Sequence, residues 1–331
     1  MLWFITRRIF YIILVLFFLS FFLFILLRSM PIDPVDIFLP LEMRLAMEPE
    51  QVAIVRQAII DDMGLEHHTV IQYFYWLRAT LQGNLGISME SRLEVMDHIR
   101  SPITNTMVIN LLAMFVVFAI TIPAGIYAAV KRGKTFDNAA LVASVFGISV
   151  PGFLFALLLI VTLVILLPWD IFPMFGMASL DPPPEGTMDW YMDRLRHMAL
   201  PLVALVLTGS ATMLRIVRSA MIDALHMDCV RTARSKGLRE KAVIYSHAFR
   251  NALIPIVTIM ATFFIGLFGG AIAIEVTFGW QGMGVIMINA INRQDIAVLM
   301  SLYLFYAFIA FAVILILDIL YVFIDPRIRF Q

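Results

Sequence analysis

Six stretches of this chain run without a charge for about the roughly 20 apolar residues that one helix needs to cross a bilayer. They cover residues 9–27, 101–130, 138–169, 198–214, 251–274 and 296–317. Hydrocarbon offers no partner to a peptide N–H or C=O, so runs of this kind fold as helices that satisfy their own backbone. With 61% hydrophobic and 15% charged residues among 331, the chain also has too little polar surface to cover itself in water. The expected class is an all-α membrane protein of about six transmembrane helices.

The first run follows Arg7 and Arg8 and superficially resembles a signal peptide. It is too long for one and lacks a small-residue cleavage site, so it reads as a retained helix. The second and third runs exceed one span, and their ends are expected to include interface or loop residues such as Pro102 and Pro168. The fourth run is short. Pro201 near its start suits a first helical turn, and the helix is expected to continue past Arg215 and Arg218 as an amphipathic extension.

The 24 basic and 24 acidic residues cancel, so net charge points to no nucleic-acid or acidic partner. Their placement is more informative. Lys131 and Lys134 lie between runs two and three, and Lys236 and Lys241 lie between runs four and five. An excess of Lys and Arg marks the cytoplasmic side. An even number of spans separates these loops from each other and from the ends, so both termini are expected to be cytoplasmic, in agreement with Arg7, Arg8, Arg327 and Arg329. Acidic residues dominate 31–100 and 170–197, which are expected to be external. The organisation that follows is a transmembrane helix over 1–30, an external segment over 31–100 and a five-helix core over 101–331 with a cytoplasmic loop at about 219–250.

The external segment holds an amphipathic stretch over 49–65 and the aromatic cluster Tyr73, Phe74, Tyr75 and Trp76, which reads as an interfacial belt, with ligand stacking as the alternative. Asp181-Pro182-Pro183-Pro184-Glu185-Gly186 cannot be regular helix and is read as an exposed loop. Three glycines within 278–284 interrupt the apolar pattern, as in a turn or re-entrant piece that protein must bury. No internal repeat is evident, which disfavours a secondary transporter built from repeats.

The longest basic loop, 215–250, has apolar positions interleaved at helical spacing, so it is built to fold. On charge alone it could be an ordinary positive-inside loop. A short helix from Asp228 ending near Gly237 fits, because glycine accepts the left-handed backbone that stops a helix. Small residues at Thr232 and Ala233 would let that helix sit closely in a partner's groove. A second amphipathic helix would run from Leu238 back to the fifth span, its start marked by Pro255.

This loop resembles the coupling motif of binding-protein-dependent ABC importer permeases, in which a Glu-Ala-Ala-like triplet is followed after three residues by glycine. Here Arg231-Thr232-Ala233 occupies the triplet and Gly237 the glycine. The continuation through Lys236, Leu238 and His247-Ala248-Phe249-Arg250-Asn251-Ala252-Leu253 is most similar to the B-type subunit of the dipeptide and oligopeptide permease family. Gly83-Asn84-Leu85-Gly86-Ile87-Ser88, Ser149-Val150-Pro151, His197 with Leu200-Pro201, Glu275-Val276-Thr277-Phe278 and Asp325-Pro326-Arg327-Ile328-Arg329 are similar to further landmarks in the same order.

The resemblance implies a type I ABC importer permease fold in the bacterial inner membrane, with Asp228, Arg231, Thr232, Ala233, Lys236, Gly237 and Leu238 in the ATPase-coupling loop. It implies as partners a homologous second permease, two cytoplasmic ATPase subunits and an external substrate-binding protein. ATP and Mg²⁺ would be used by the ATPases, and the cargo would be di- or oligopeptides. No Gly-x-x-x-x-Gly-Lys-Ser/Thr loop occurs in this chain, so no ATP site, cofactor or catalytic role is assigned to it. The six histidines show no metal-binding spacing, and Cys229 is the single cysteine. Glu275 and Asp318 are carboxylates at or within expected spans, costly in lipid, and are read as packed or helix-end groups, with the translocation path as the alternative. Rival classes are a membrane-embedded enzyme and an ATP-independent channel or transporter.

Overall fold

The computed structural model describes residues 2–29, 35, 39, 41–63, 66–88, 90–167, 171–269 and 271–324. Among the described residues five helices are long and apolar enough to cross a membrane, and a sixth span results if the bent pair Thr135–Ser149 and Gly152–Leu166 is counted as one. Among the described residues there is no strand, only one isolated antiparallel bridge between Ile87 and Glu94. The chain divides into two compact units, one of residues 1–104 and 285–311, the other of 105–284 and 312–331.

The first unit contains α1 (Leu2–Arg28), α2 (Leu41–Leu45), α3 (Pro49–Met63) and α4 (Thr69–Leu81). Tyr73 organises it. Its fully buried ring meets Phe17, Phe21 and Phe24 edge-on, at centroid separations of 5.7, 5.0 and 5.6 Å. Its hydroxyl shares a 2.8 Å hydrogen bond with Ser20, which gives the phenol the partner that burial demands. Burial pushes the Tyr73 phenol up, against the lowering effect of Ser20, so it stays protonated. The aromatic cluster therefore divides: Tyr73 anchors α4 to α1, while Phe74 and Tyr75 remain exposed.

The landmark around Gly86 also acquires a physical role. Ser88 donates to Asp295 at 2.8 Å, and the same buried carboxylate accepts from the backbone of Glu90 and, through its other oxygen, of Val298. Asp295 thus stands immediately before Ile296 and caps the last long helix.

In the second unit, helices lie close because small residues face one another. A Cβ on Gly125 would come 2.7 Å from Val217 Cγ1, and one on Gly147 would come 2.6 Å from Ala211 Cβ. These contacts join α5 (Val95–Val130) and α6 (Thr135–Ser149) to α8 (Met188–Leu225). Between them α7 (Gly152–Ile160) continues through a π segment, Val161–Leu166. The long third run is therefore a broken element, bent by 98° at Val150-Pro151. Proline lacks the N–H a continuing helix needs and drives the residue before it out of the helical region, and Val150 is extended.

Three expectations about prolines are corrected. Pro201 lies inside α8 and Pro102 inside α5, because both helices begin well before the charge-free runs. Pro255 lies within α11 (Phe249–Gly269), which is preceded without interruption by α10 (Glu240–Ala242) and a π segment, Val243–Ala248. The expected landmarks at Pro168 and Asp325–Arg329 lie outside the described residues.

Candidate functional site

Between α8 and α10 the chain makes a compact corner. Met227 is extended, and α9 (Asp228–Ser235) follows. Thr232 donates to the Asp228 carbonyl at 2.9 Å, while the fully solvated Asp228–Arg231 pair at 3.7 Å adds little. The helix stops as its sequence dictates. Gly237 takes φ +72°, its N–H donates to Arg234 O at 2.9 Å, and Leu238 N–H reaches back to Ala233 O at 3.4 Å. This is the left-handed glycine stop in which two backbone donors return to the last turn. Arg234 then grips Glu240 at 2.8 Å, fastening α9 to the first turn of α10. The Glu240 hydrogen bond raises the Arg234 guanidinium further above its already high value, so it stays charged.

The two faces of α9 differ. Val230 is fully buried and Ala233 is 3% exposed; both pack in one apolar core with Val217, Met221 and Ala224 of α8, and with Val243 and Ala252. Asp228, Arg231, Thr232, Lys236, Gly237 and Leu238 are exposed. This corrects the expectation for Ala233. Its small side chain does not wait for a partner's groove; it lets α9 lie close on this chain's own helices. The available surface is the opposite face, where guanidinium, ammonium and hydroxyl groups lie beside the solvated Leu238.

A polar junction lies elsewhere in the same unit. Glu275, on α12 (Ile272–Phe278), is 4% exposed. Its carboxylate accepts from Thr106 Oγ1 at 2.9 Å and from Gly284 N–H at 2.7 Å, and Thr106 in turn accepts from Met283 N–H at 2.8 Å. Gly279 turns the chain with φ +63°, and Trp280 Nε1 donates to Asn105 O at 3.2 Å. The glycine-interrupted segment is thus a buried turn strapped to α5. A cavity of about 290 Å³, lined among others by Asn110, Val117, Thr208, Phe263 and Ile274, lies alongside. Asp318, the other intramembrane carboxylate, is half-buried on α13 (Ile296–Ile324).

A third constellation escaped the sequence reading. Arg218 of α8 forks onto Asp137 of α6: its Nε donates to Oδ1 and an amino nitrogen donates to Oδ2 at 2.8 Å. Asp137 is 1% exposed and also accepts from Gly133 N–H at 2.8 Å. The sequence alone places Arg218 in an amphipathic extension and gives no reason to single out Asp137. Among the described residues, no group of three His, Cys, Asp or Glu is arranged to hold a metal.

Comparison with known proteins identifies this architecture. Residues 121–330 match the family described as the inner membrane component of binding-protein-dependent transport systems, and residues 1–109 match the N-terminal region of such membrane components. The chain belongs to this family and is a multi-pass permease component of the cytoplasmic membrane. It is similar to the oligopeptide transport system permease protein AppB of Bacillus subtilis, 32% identical over 308 residues and 93% of each chain. It is also similar to the di/tripeptide transport system permease protein DppB of Pseudomonas aeruginosa, 34% identical over 342 residues and the whole of each. The glutathione transport system permease protein GsiC of Escherichia coli is 32% identical over 331 residues, again covering both chains completely.

Proposed function

We propose that this chain is the translocating permease subunit of an ATP-driven importer of short peptides, energised by separate ATPase subunits that seat on the exposed face of α9. The observation that carries this reading is the two-sidedness of the corner. Val230 and Ala233 key it into the core formed by α5, α8 and α11, while Arg231, Thr232, Lys236 and Leu238 are free to meet another protein. A displacement imposed on that face passes into the helices through packed side chains, as a shift between discrete packed states requires. The lysine distribution supports a cytoplasmic corner and cytoplasmic termini. The peptide cargo is supported by the names of the relatives, all three of which concern peptides or a peptide-like tripeptide.

In this reading an external binding protein delivers cargo, a homologous second permease completes the path, and two ATPases using ATP and Mg²⁺ close beneath the membrane. The first test is copurification of the tagged chain. The expected result is two ATPases and a second permease in stoichiometric amounts, with a binding protein that takes up di- or oligopeptides. Isolation of an active carrier without any ATPase would contradict it. The topology is tested with single cysteines at Gly133 and Pro183 in a Cys229→Ser background. They are expected to label from opposite sides of sealed membranes, and labelling of both from outside would overturn the orientation.

A further inference from the structure

The Asp137–Arg218 fork joins α6 to α8, the helix that leads into the corner. Arg218 is on the same uninterrupted helix that leads into the corner, ten positions before Asp228, and beside it Val217 fills the place that Gly125 leaves on α5. Asp137 is in the first turn of α6, and through Gly133 it also holds the turn formed by residues 131–134. From this end α6 and α8 run antiparallel, with Gly147 meeting Ala211 further along and Gly152 meeting Thr208 beyond the break. Apolar packing of small residues fixes how closely these helices lie, but the attraction behind it is non-directional. A buried bidentate pair is directional, since both hydrogen bonds survive only at one relative position and rotation.

We infer that the Asp137–Arg218 pair is a positioning element for energy coupling, obliging α6 and the 131–134 turn to follow α8 whenever the α9 corner is displaced. This rests on the importer reading above. Neither residue needs to touch cargo or nucleotide. Weakening the pair leaves the corner and its outward face intact, but lets α8 move without carrying α6, so ATP is hydrolysed with less transport.

The experiment uses the complex purified with the tagged chain, reconstituted with its binding protein and a defined peptide that this protein takes up. Uptake and ATP hydrolysis are measured in the same vesicles for the parent, Asp137→Asn, Arg218→Lys and the exchange Asp137→Arg with Arg218→Asp. Asp137→Asn keeps the shape and loses the charge; Arg218→Lys keeps the charge and loses the fork. Both are expected to retain the ATPase subunits while uptake per ATP falls on the order of tenfold, the scale of one lost charge-assisted hydrogen bond. The exchanged pair is expected to recover part of that ratio. A parent that transports, with an unchanged ratio in both single variants, overturns the inference and leaves the importer reading standing. Variants that lose assembly in proportion to transport, with no recovery of the ratio on exchange, also overturn it, because the pair would then be merely structural. A parent complex without ATP-dependent uptake removes the importer reading, and this inference with it.

Discussion

Gly284→Ala is expected to destabilise the folded protein severely, with a sharp fall in its yield and melting midpoint. The added methyl would stand 2.7 Å from Ile272 Cα and 2.8 Å from Glu275 Oε2. The first is backbone of α12 and cannot swing aside. The second belongs to a carboxylate held by Thr106 through Oε1 and by the Gly284 N–H through Oε2, so its retreat breaks the junction that straps the buried turn to α5. Overpacking a close contact costs about 1–3 kcal/mol, and loss of a charge-assisted hydrogen bond adds a comparable amount. Together these come to about 2–6 kcal/mol, a large share of the roughly 5–15 kcal/mol by which an ordinary domain is stable. The measurement is the yield of monodisperse protein in detergent and its apparent melting midpoint. Glu275→Gln keeps the volume and part of the hydrogen bonding, so its midpoint should fall less than that of Gly284→Ala. A Gly284→Ala protein with the parent's yield and midpoint would mean that this turn is not packed against α12 as described.

The second large effect is expected at Ala233. A glutamate there would place a carboxylate among Val217, Met221, Val243 and Ala252, where the alanine is 3% exposed. An unpaired charge in such a place costs several kcal/mol, and the chain avoids the cost by lifting α9 away from α8. Ala233→Glu should therefore keep its membrane insertion, carried by helices elsewhere in the chain, and lose its ATPase subunits on purification. Thr232→Ser, one residue away on the exposed face, keeps the hydroxyl that bonds to Asp228 and stays small, and should retain them. Equal ATPase content in Ala233→Glu and the parent would contradict the inward orientation of this position.

The contrast between these neighbours shows what the sequence carries and what it does not. Gly237 was legible, because a glycine after a short amphipathic helix needs no tertiary information to be read as a left-handed stop. The inward turn of Ala233 was legible only in hindsight. Val230 and Ala233 are three apart and share a face, but with only Cys229 besides them among the apolar residues of an eight-residue helix, the pattern did not say whether that face meets this chain or another. Helix ends were misjudged for one recurring reason. A charge-free window finds the part of a helix that lies in hydrocarbon, while α8 begins with Asp189, Asp193, Arg194 and Arg196 outside that window. Pro201 and Pro255 then looked like first turns although both lie inside long helices. The break at Pro151 was hidden by the opposite circumstance, since the chain on both sides of it is equally apolar. The polar junctions could not be read at all. Thr106 and Glu275 are 169 positions apart, and Asp137 and Arg218 are 81 apart, so their pairing is a property of the packed helices.

The central claim is that the corner from Asp228 to Leu238 passes the work of ATP hydrolysis to the spans without taking part in chemistry or cargo binding. The measurement that tests it most directly is ATP-dependent peptide uptake by the reconstituted complex carrying Gly237→Val. At φ +72° a β-branched side chain is penalised by about 1–3 kcal/mol, and a Cβ at this position meets nothing within 4 Å, so the strain stays in the backbone of the stop itself. The account predicts that uptake and ligand-stimulated ATP hydrolysis fall together, while insertion and the binding protein's affinity for peptide are unchanged. Normal uptake with normal stimulated hydrolysis in Gly237→Val, or uptake by the parent complex that continues without ATP, would contradict it.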